Sequence, residues 1–186
     1  MKKMKKSFDV TQKKHFSNHL RVLATASFLA ALSIVCGKYL AISIGNVMRF
    51  SFENLPILIA SMMLGPVVGM LTGIVADLVG CFLVGYAINP MVTLGAACVG
   101  LVGGILFRLL SRLPLFVRVS FSTLTAHFCG SVLVKTWGLA VFYDMPFHAL
   151  LLWRLLNYAI VGVAEGLLLY YLLKNRAIRR RFESLR

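Results

Sequence analysis

Long apolar runs, broken at a few polar or proline-bearing points, dominate the chain. Their lengths suit helices that cross a bilayer, each of which needs about 20 apolar residues. Read this way, spans fall near residues 21–44, 52–64, 66–84, 91–111, 118–142 and 148–173, the second being short for a full crossing. Gly65-Pro66 separates the second from the third and Asn89-Pro90 the third from the fourth. Proline belongs in the first turn of a helix, where its missing N–H is harmless. Pro114 marks a further connection, and Tyr143-Asp144-Met145-Pro146 is a polar turn. The runs are continuous rather than alternating, which argues against a membrane barrel. The pattern predicts an all-α integral membrane fold, a six-transmembrane-helix bundle over residues 21–173, between a basic arm at 1–20 and a basic tail at 174–186.

Composition agrees: 59% of the 186 residues are hydrophobic and 14% charged, against about 25% charged in soluble domains. The long basic start and the absence of a cleavage-like pattern imply that the first apolar segment is retained. A net charge of +14 would suggest nucleic acid in a soluble chain, but the positions of the charges point elsewhere. Cations cluster before the first apolar segment, in the connection holding Arg108, Arg112 and Arg118, and in the tail; of the twenty, only Lys38, Arg49, Lys135 and Arg154 lie elsewhere. With an even number of crossings these clusters share a side, and the positive-inside rule makes it the cytoplasm. Both termini are expected there, in a multi-pass protein of the cell membrane with lipid around it and no nucleic-acid partner.

Charges inside apolar segments are functional suspects, because at bilayer depth each costs several kcal/mol unless paired or facing a cavity. The stretch Arg49-Phe50-Ser51-Phe52-Glu53-Asn54-Leu55-Pro56 holds two of them, and Glu53 could pair with Arg49. Asp77 lies inside the third span as a ligand contact or a structurally capped group. Glu165, in the sixth, reads as a structural partner for a cation such as Arg108 or Arg112. Arg154 and Asn157 share a helix face at i,i+3, and Lys135-Thr136-Trp137 lies at the same depth as Trp153-Arg154. An aromatic belt explains the tryptophans but not buried cations, so this group is expected to face a polar cavity.

Small residues at Ala26 and Ala30, at Gly65, Gly69 and Gly73, and at Gly95, Gly100, Gly103 and Gly104 allow close backbone approach. The glycines read as bundle packing; Ala26 and Ala30 read equally well as packing or as contact with another subunit. Cys36, Cys81, Cys98 and Cys129 form no Cys-x-x-Cys pair, and His15, His19, His127 and His148 have no companion carboxylates that would build a metal site. No nucleotide-binding or hydrolase motif is present. No catalytic residue, metal or cofactor is expected on this chain, and an ATP-driven task would need others.

Arg49-Phe-Ser-Phe-Glu-Asn-Leu-Pro56, then Leu64-Gly65-Pro66, Gly73 with Asp77, and Asn89-Pro90-Met-Val-Thr93-Leu94-Gly95 together resemble the substrate-binding S component of energy-coupling factor (ECF) vitamin transporters, folate family. The likeness runs from about Leu23 to Leu173, and Ala26-x-x-x-Ala30 resembles the motif by which S components meet their coupling subunit. The resemblance implies a six-helix S component that captures a folate-type vitamin from outside and works with a transmembrane coupling subunit and two ATPase subunits. It implies a pocket shaped by residues 43–53, 85–90 and the Lys135 to Arg154 neighbourhood. A pterin calls for a carboxylate or amide beside flat rings, and a glutamate tail for cationic donors. Asp77 and Asn89 suit the pterin, with Phe52, Tyr86, Trp137 and Trp153 as stacking groups; Arg49, Lys135 and Arg154 suit the tail, with Asn157 beside them. An S component for riboflavin, thiamine or a queuosine precursor is the nearest alternative, although neutral ligands would leave those cations unmatched. A stand-alone secondary transporter would show inverted repeats that are not evident here.

Overall fold

A computed structural model describes residues 2–44, 48–144 and 146–183. Helix α1 runs Lys2–Ile34 and widens into a π-helical turn, Val35–Tyr39. Strands β1 (Ile42–Ile44) and β2 (Met48–Phe50) pair antiparallel, with Ile42 opposite Phe50 and Ser43 opposite Arg49. Next come α2 (Asn54–Met63), α3 (Pro66–Val84) and α4 (Pro90–Leu109). Then α5 (Leu115–Ala126) passes through a second π-helical stretch, His127–Val134, into α6 (Lys135–Tyr143). Finally α7 (Phe147–Lys174) is followed by the short α8 (Arg176–Glu183).

The sequence accounts for most boundaries. Pro66 and Pro90 open α3 and α4, and the Asn89 side chain caps α4 by accepting the Met91 N–H at 3.0 Å. Gly85, at φ 72°, ends α3 in a left-handed conformation that glycine adopts without strain. Among the described residues five helical segments are long and apolar enough to cross a membrane, with α5 to α6 counting as one. The short second span of the sequence reading is α2, whose ten residues reach about 15 Å, half the hydrocarbon depth.

Burial explains why α2 can be short. Every residue from Pro56 to Met63 is buried, so α2 is a central post wrapped by its neighbours. Ile57, Leu58, Ala60 and Met62 join Val99, Val119, Ala126 and Leu169 in the main core. The seam between α3 and α4 is close to backbone contact. A Cβ on Gly73 would sit 2.5 Å from the Ala96 carbonyl oxygen, and one on Gly104 2.7 Å from the Pro66 Cα. The glycines singled out in the sequence therefore pack the bundle against itself. The hairpin after α1 was not anticipated; that stretch reads in the sequence as the end of a helix and a loop.

The alternation of directions sorts charge by end. The last turns of α4 and α7, the first turn of α5 and all of α8 lie at one end, with Arg108, Arg112, Lys174 and Arg176. The hairpin, the α3–α4 connection and the start of α7 lie at the other.

Candidate ligand-binding site

At that second end a cavity of ≈ 210 Å³ opens among Lys38, Ser51, Glu53, Asp77, Cys81, Tyr86, Ala87, Asn89, Val92, Lys135, Leu139, Arg154 and Tyr158. A void of ≈ 20 Å³ continues its floor and shares Lys38, Glu53, Asp77 and Lys135 with it. Both π-helical stretches border this space: Lys38 lies in the first and Lys135 immediately follows the second. Such widened turns shift side-chain directions and recur at functional positions.

Glycines clear the paths of the charged stems. A Cβ on Gly80 would lie 2.9 Å from Lys38 Cε, one on Gly37 2.8 Å from Glu53 Cβ, and one on Gly95 would collide with Lys135 Cγ. Lys135 is 3% exposed, and its Nζ donates to Glu53 Oε1 at 2.8 Å. Ser33 Oγ donates to the Glu53 carbonyl at 2.5 Å, fastening the same loop to α1. Asp77 accepts from Thr93 Oγ1 at 2.7 Å. Asn89 donates to the Gly138 carbonyl at 3.0 Å while capping α4. Arg154 Nη1 donates to the Ser131 carbonyl at 3.0 Å, and its guanidinium carbon is 5.8 Å from the Tyr158 ring centre. Lys38 Nζ lies 5.4 Å from the Tyr86 ring centre.

Three cations thus face two carboxylates. Glu53 is engaged by Lys135, and among the described residues neither Lys38 nor Arg154 has a carboxylate within ion-pair distance. Both are half-buried in the cavity wall, where their attraction for an anion exceeds that in open water. Asp77 keeps one oxygen beyond the Thr93 contact, available to accept from a ligand N–H.

Of the residues expected from sequence, Asp77, Tyr86, Asn89, Lys135 and Arg154 meet in this cavity. Phe52, Trp137 and Trp153 are 41%, 60% and 44% exposed and are not among its lining. Trp137 instead lines an apolar groove with Leu133, Val141 and Phe147. Asn157 is buried beside the cavity rather than lining it. Arg49 occupies the hairpin by its backbone, and its side chain lies outside the described residues. Lys38, Ser51, Cys81 and Tyr158 were missed. Lys38 was one of four cations outside the basic clusters, and Tyr158 follows Arg154 by one helical turn.

Glu53 pairs with Lys135, 82 positions away in sequence; the side chain of Arg49, its expected partner, lies outside the described residues. One pairing differs from expectation. Glu165 meets His127, with Nε2 to Oε2 at 2.7 Å, because Glu165 is fully buried in mid-bundle while Arg108 and Arg112 are exposed at its end. The His127 ring stacks on Tyr158 at 5.3 Å between centroids, linking this buried pair to the cavity wall.

Ala26 and Ala30 lie along a separate apolar groove of ≈ 380 Å³ between α1 and α3, with Val22, Val68, Leu71 and Val75. Ala30 is 4% exposed and packs with Ile34 and Ala76 of its own chain, whereas Ala26 is half-buried.

Comparison with known proteins places this geometry in context. A family model described as "ECF transporter, substrate-specific component" matches residues 21–174. Among solved structures the chain is similar to one titled "Crystal structure of FolT bound with folic acid", with a TM-score of 0.63 and 21% identity, over 80% of this chain and 89% of that one. At that identity the likeness is one of fold. No curated protein sequence matches the chain.

Proposed function

Because the chain belongs to the family of ECF transporter substrate-specific components, a multi-pass membrane family, we propose that its charged cavity binds a folate-type vitamin for import. The observation that carries this reading is the pair of cations, Lys38 and Arg154, that face the cavity without a carboxylate partner among the described residues. A ligand with carboxylates completes them; a neutral vitamin leaves them unmatched. Asp77 accepts from the donor edge of a pterin, Tyr86 and Tyr158 offer flat surfaces, and Arg154 and Lys38 take the glutamate tail. Arg49, on the neighbouring hairpin, adds a third tail contact. FolT, of similar fold, is bound with folic acid, which agrees with this chemistry.

Cavity size bears on mechanism. At ≈ 210 Å³ it falls below the 300 Å³ at which ordinary ligand pockets begin. A folate therefore needs the space to enlarge. The hairpin lies at the cavity end of the bundle, and entry proceeds by its displacement. The basic end of the bundle lies opposite the cavity, which supports a cytoplasmic location for both termini and an extracellular mouth. In this reading α2 and the five longer segments make the six helices of an S component, spanning 21–173 between two basic ends. Ala26 and its groove on α1 and α3 face the coupling subunit, and two ATPase subunits hydrolyse ATP, with no cofactor on this chain.

Titration of the detergent-solubilised protein with folate and with pteroate, which lacks the glutamate, tests the assignment. Arg154→Gln is expected to lower folate affinity by about 1.5–3 kcal/mol, the worth of a hydrogen bond to a charged group, and pteroate affinity much less. Equal loss for both ligands, or none, overturns the placement of the tail at Arg154.

A further inference from the structure

The end of the bundle opposite the cavity carries a second charged surface, which substrate capture does not use. Arg108 and Arg112 border the α4–α5 turn, and Arg176 and Arg180 lie on α8; all four are exposed. Among the described residues none of them has a carboxylate within ion-pair distance. Helix α8 is anchored rather than free. Ile178 and Phe182, one turn apart, pack against the core that includes Leu64 and Leu173, so Arg176 and Arg180 fall on its opposite face.

Large apolar side chains stand exposed beside Arg108 and Arg112: Leu109 at 74%, Phe116 at 50% and Leu113 at 44%. A soluble anion would answer the guanidinium groups and leave these residues bare. An acidic protein surface would place its charges against them. A phospholipid answers both, with phosphate for the arginines and acyl chain for Leu109 and Phe116. We infer that this end of the bundle, through the α4–α5 turn and α8, binds anionic phospholipid, the guanidinium groups donating to phosphate and headgroup. The ligand chemistry is a phosphodiester carrying net negative charge on a hydrocarbon anchor.

Native mass spectrometry of the full chain in detergent, offered equal amounts of phosphatidylglycerol and phosphatidylcholine, tests the inference. The wild type is expected to retain phosphatidylglycerol preferentially, each arginine contributing up to about fivefold. The variants Arg176→Gln/Arg180→Gln and Arg108→Gln/Arg112→Gln are each expected to lose most of that preference while melting at the wild-type temperature, since all four side chains are exposed. Equal retention of the two lipids by the wild type overturns the inference. So does full displacement of the lipid by excess inorganic phosphate, which would mark a site for free anions. Variants that keep the lipid preference but fail to assemble with the coupling subunit would make this a protein-docking surface and overturn it as well.

Discussion

Replacing Glu53 with glutamine strands a buried ammonium, and the geometry sets the size of the effect. Breaking a buried ion pair by removing one partner costs about 3–5 kcal/mol. Here the pair is buried on one side only, with side-chain exposures of 4% for Lys135 and 27% for Glu53 at a separation of 2.8 Å. Glu53→Gln should therefore fall near the lower bound, ~3 kcal/mol, since Lys135 is only 3% exposed. Lys135→Met should cost only ~1 kcal/mol, because methionine fills the lysine stem's volume and the Glu53 carboxylate is part-solvated. The double variant should resemble Lys135→Met. For a chain of this length ~3 kcal/mol corresponds to a fall in Tm of roughly 6–12 °C, which scanning fluorimetry of the detergent-solubilised protein would resolve. Additive losses, within about 0.5 kcal/mol, or a Glu53→Gln variant no less stable than Lys135→Met, would refute the argument that this pair neutralises the cavity floor.

Gly73→Ala should destabilise by about 1–3 kcal/mol through overpacking, since its Cβ would meet the Ala96 carbonyl at 2.5 Å; an unchanged Tm would show that the α3–α4 seam is looser than described. His127→Leu leaves the fully buried Glu165 carboxyl without the imidazole and should cost about 2–3 kcal/mol, the penalty of an unsatisfied buried group. Glu165→Gln keeps a neutral hydrogen bond and should cost about 1 kcal/mol, so equal losses in thermal unfolding would contradict the pairing. Ala26→Leu adds bulk to the α1–α3 groove and should reduce co-purification with the coupling subunit while leaving folate titrations unchanged; loss of both together would count against a separate partner surface.

The sequence made the bundle legible because bilayer-length apolar runs and proline placement are local signals. Pro66 and Pro90 begin helices as expected, and α6 ends at Asp144 in the polar turn expected there. The hairpin escaped notice although only three residues, one of them Gly45, separate Ile42-Ser-Ile44 from Met48-Arg-Phe50. Three-residue strands beside a long apolar run carry too little period-2 pattern to compete with the helical reading. Half of the expected site residues line one cavity because depth along a helix can be estimated from sequence. Facing direction is harder, and the two π-helical stretches shift it. Past His127–Val134 a regular 3.6-residue count no longer gives the face of Lys135 or Trp137, so the lysine turns inward and the indole outward. Pairings such as Glu53 with Lys135 span 82 residues and rest on tertiary packing, which no local pattern encodes.

Equilibrium binding of folate, riboflavin and thiamine to the purified chain, measured side by side by calorimetry, tests the central claim most directly. Folate is expected to bind with an affinity that falls on neutralising Lys38 or Arg154, while riboflavin and thiamine bind weakly or not at all. Tight binding of riboflavin or thiamine with none of folate would contradict it.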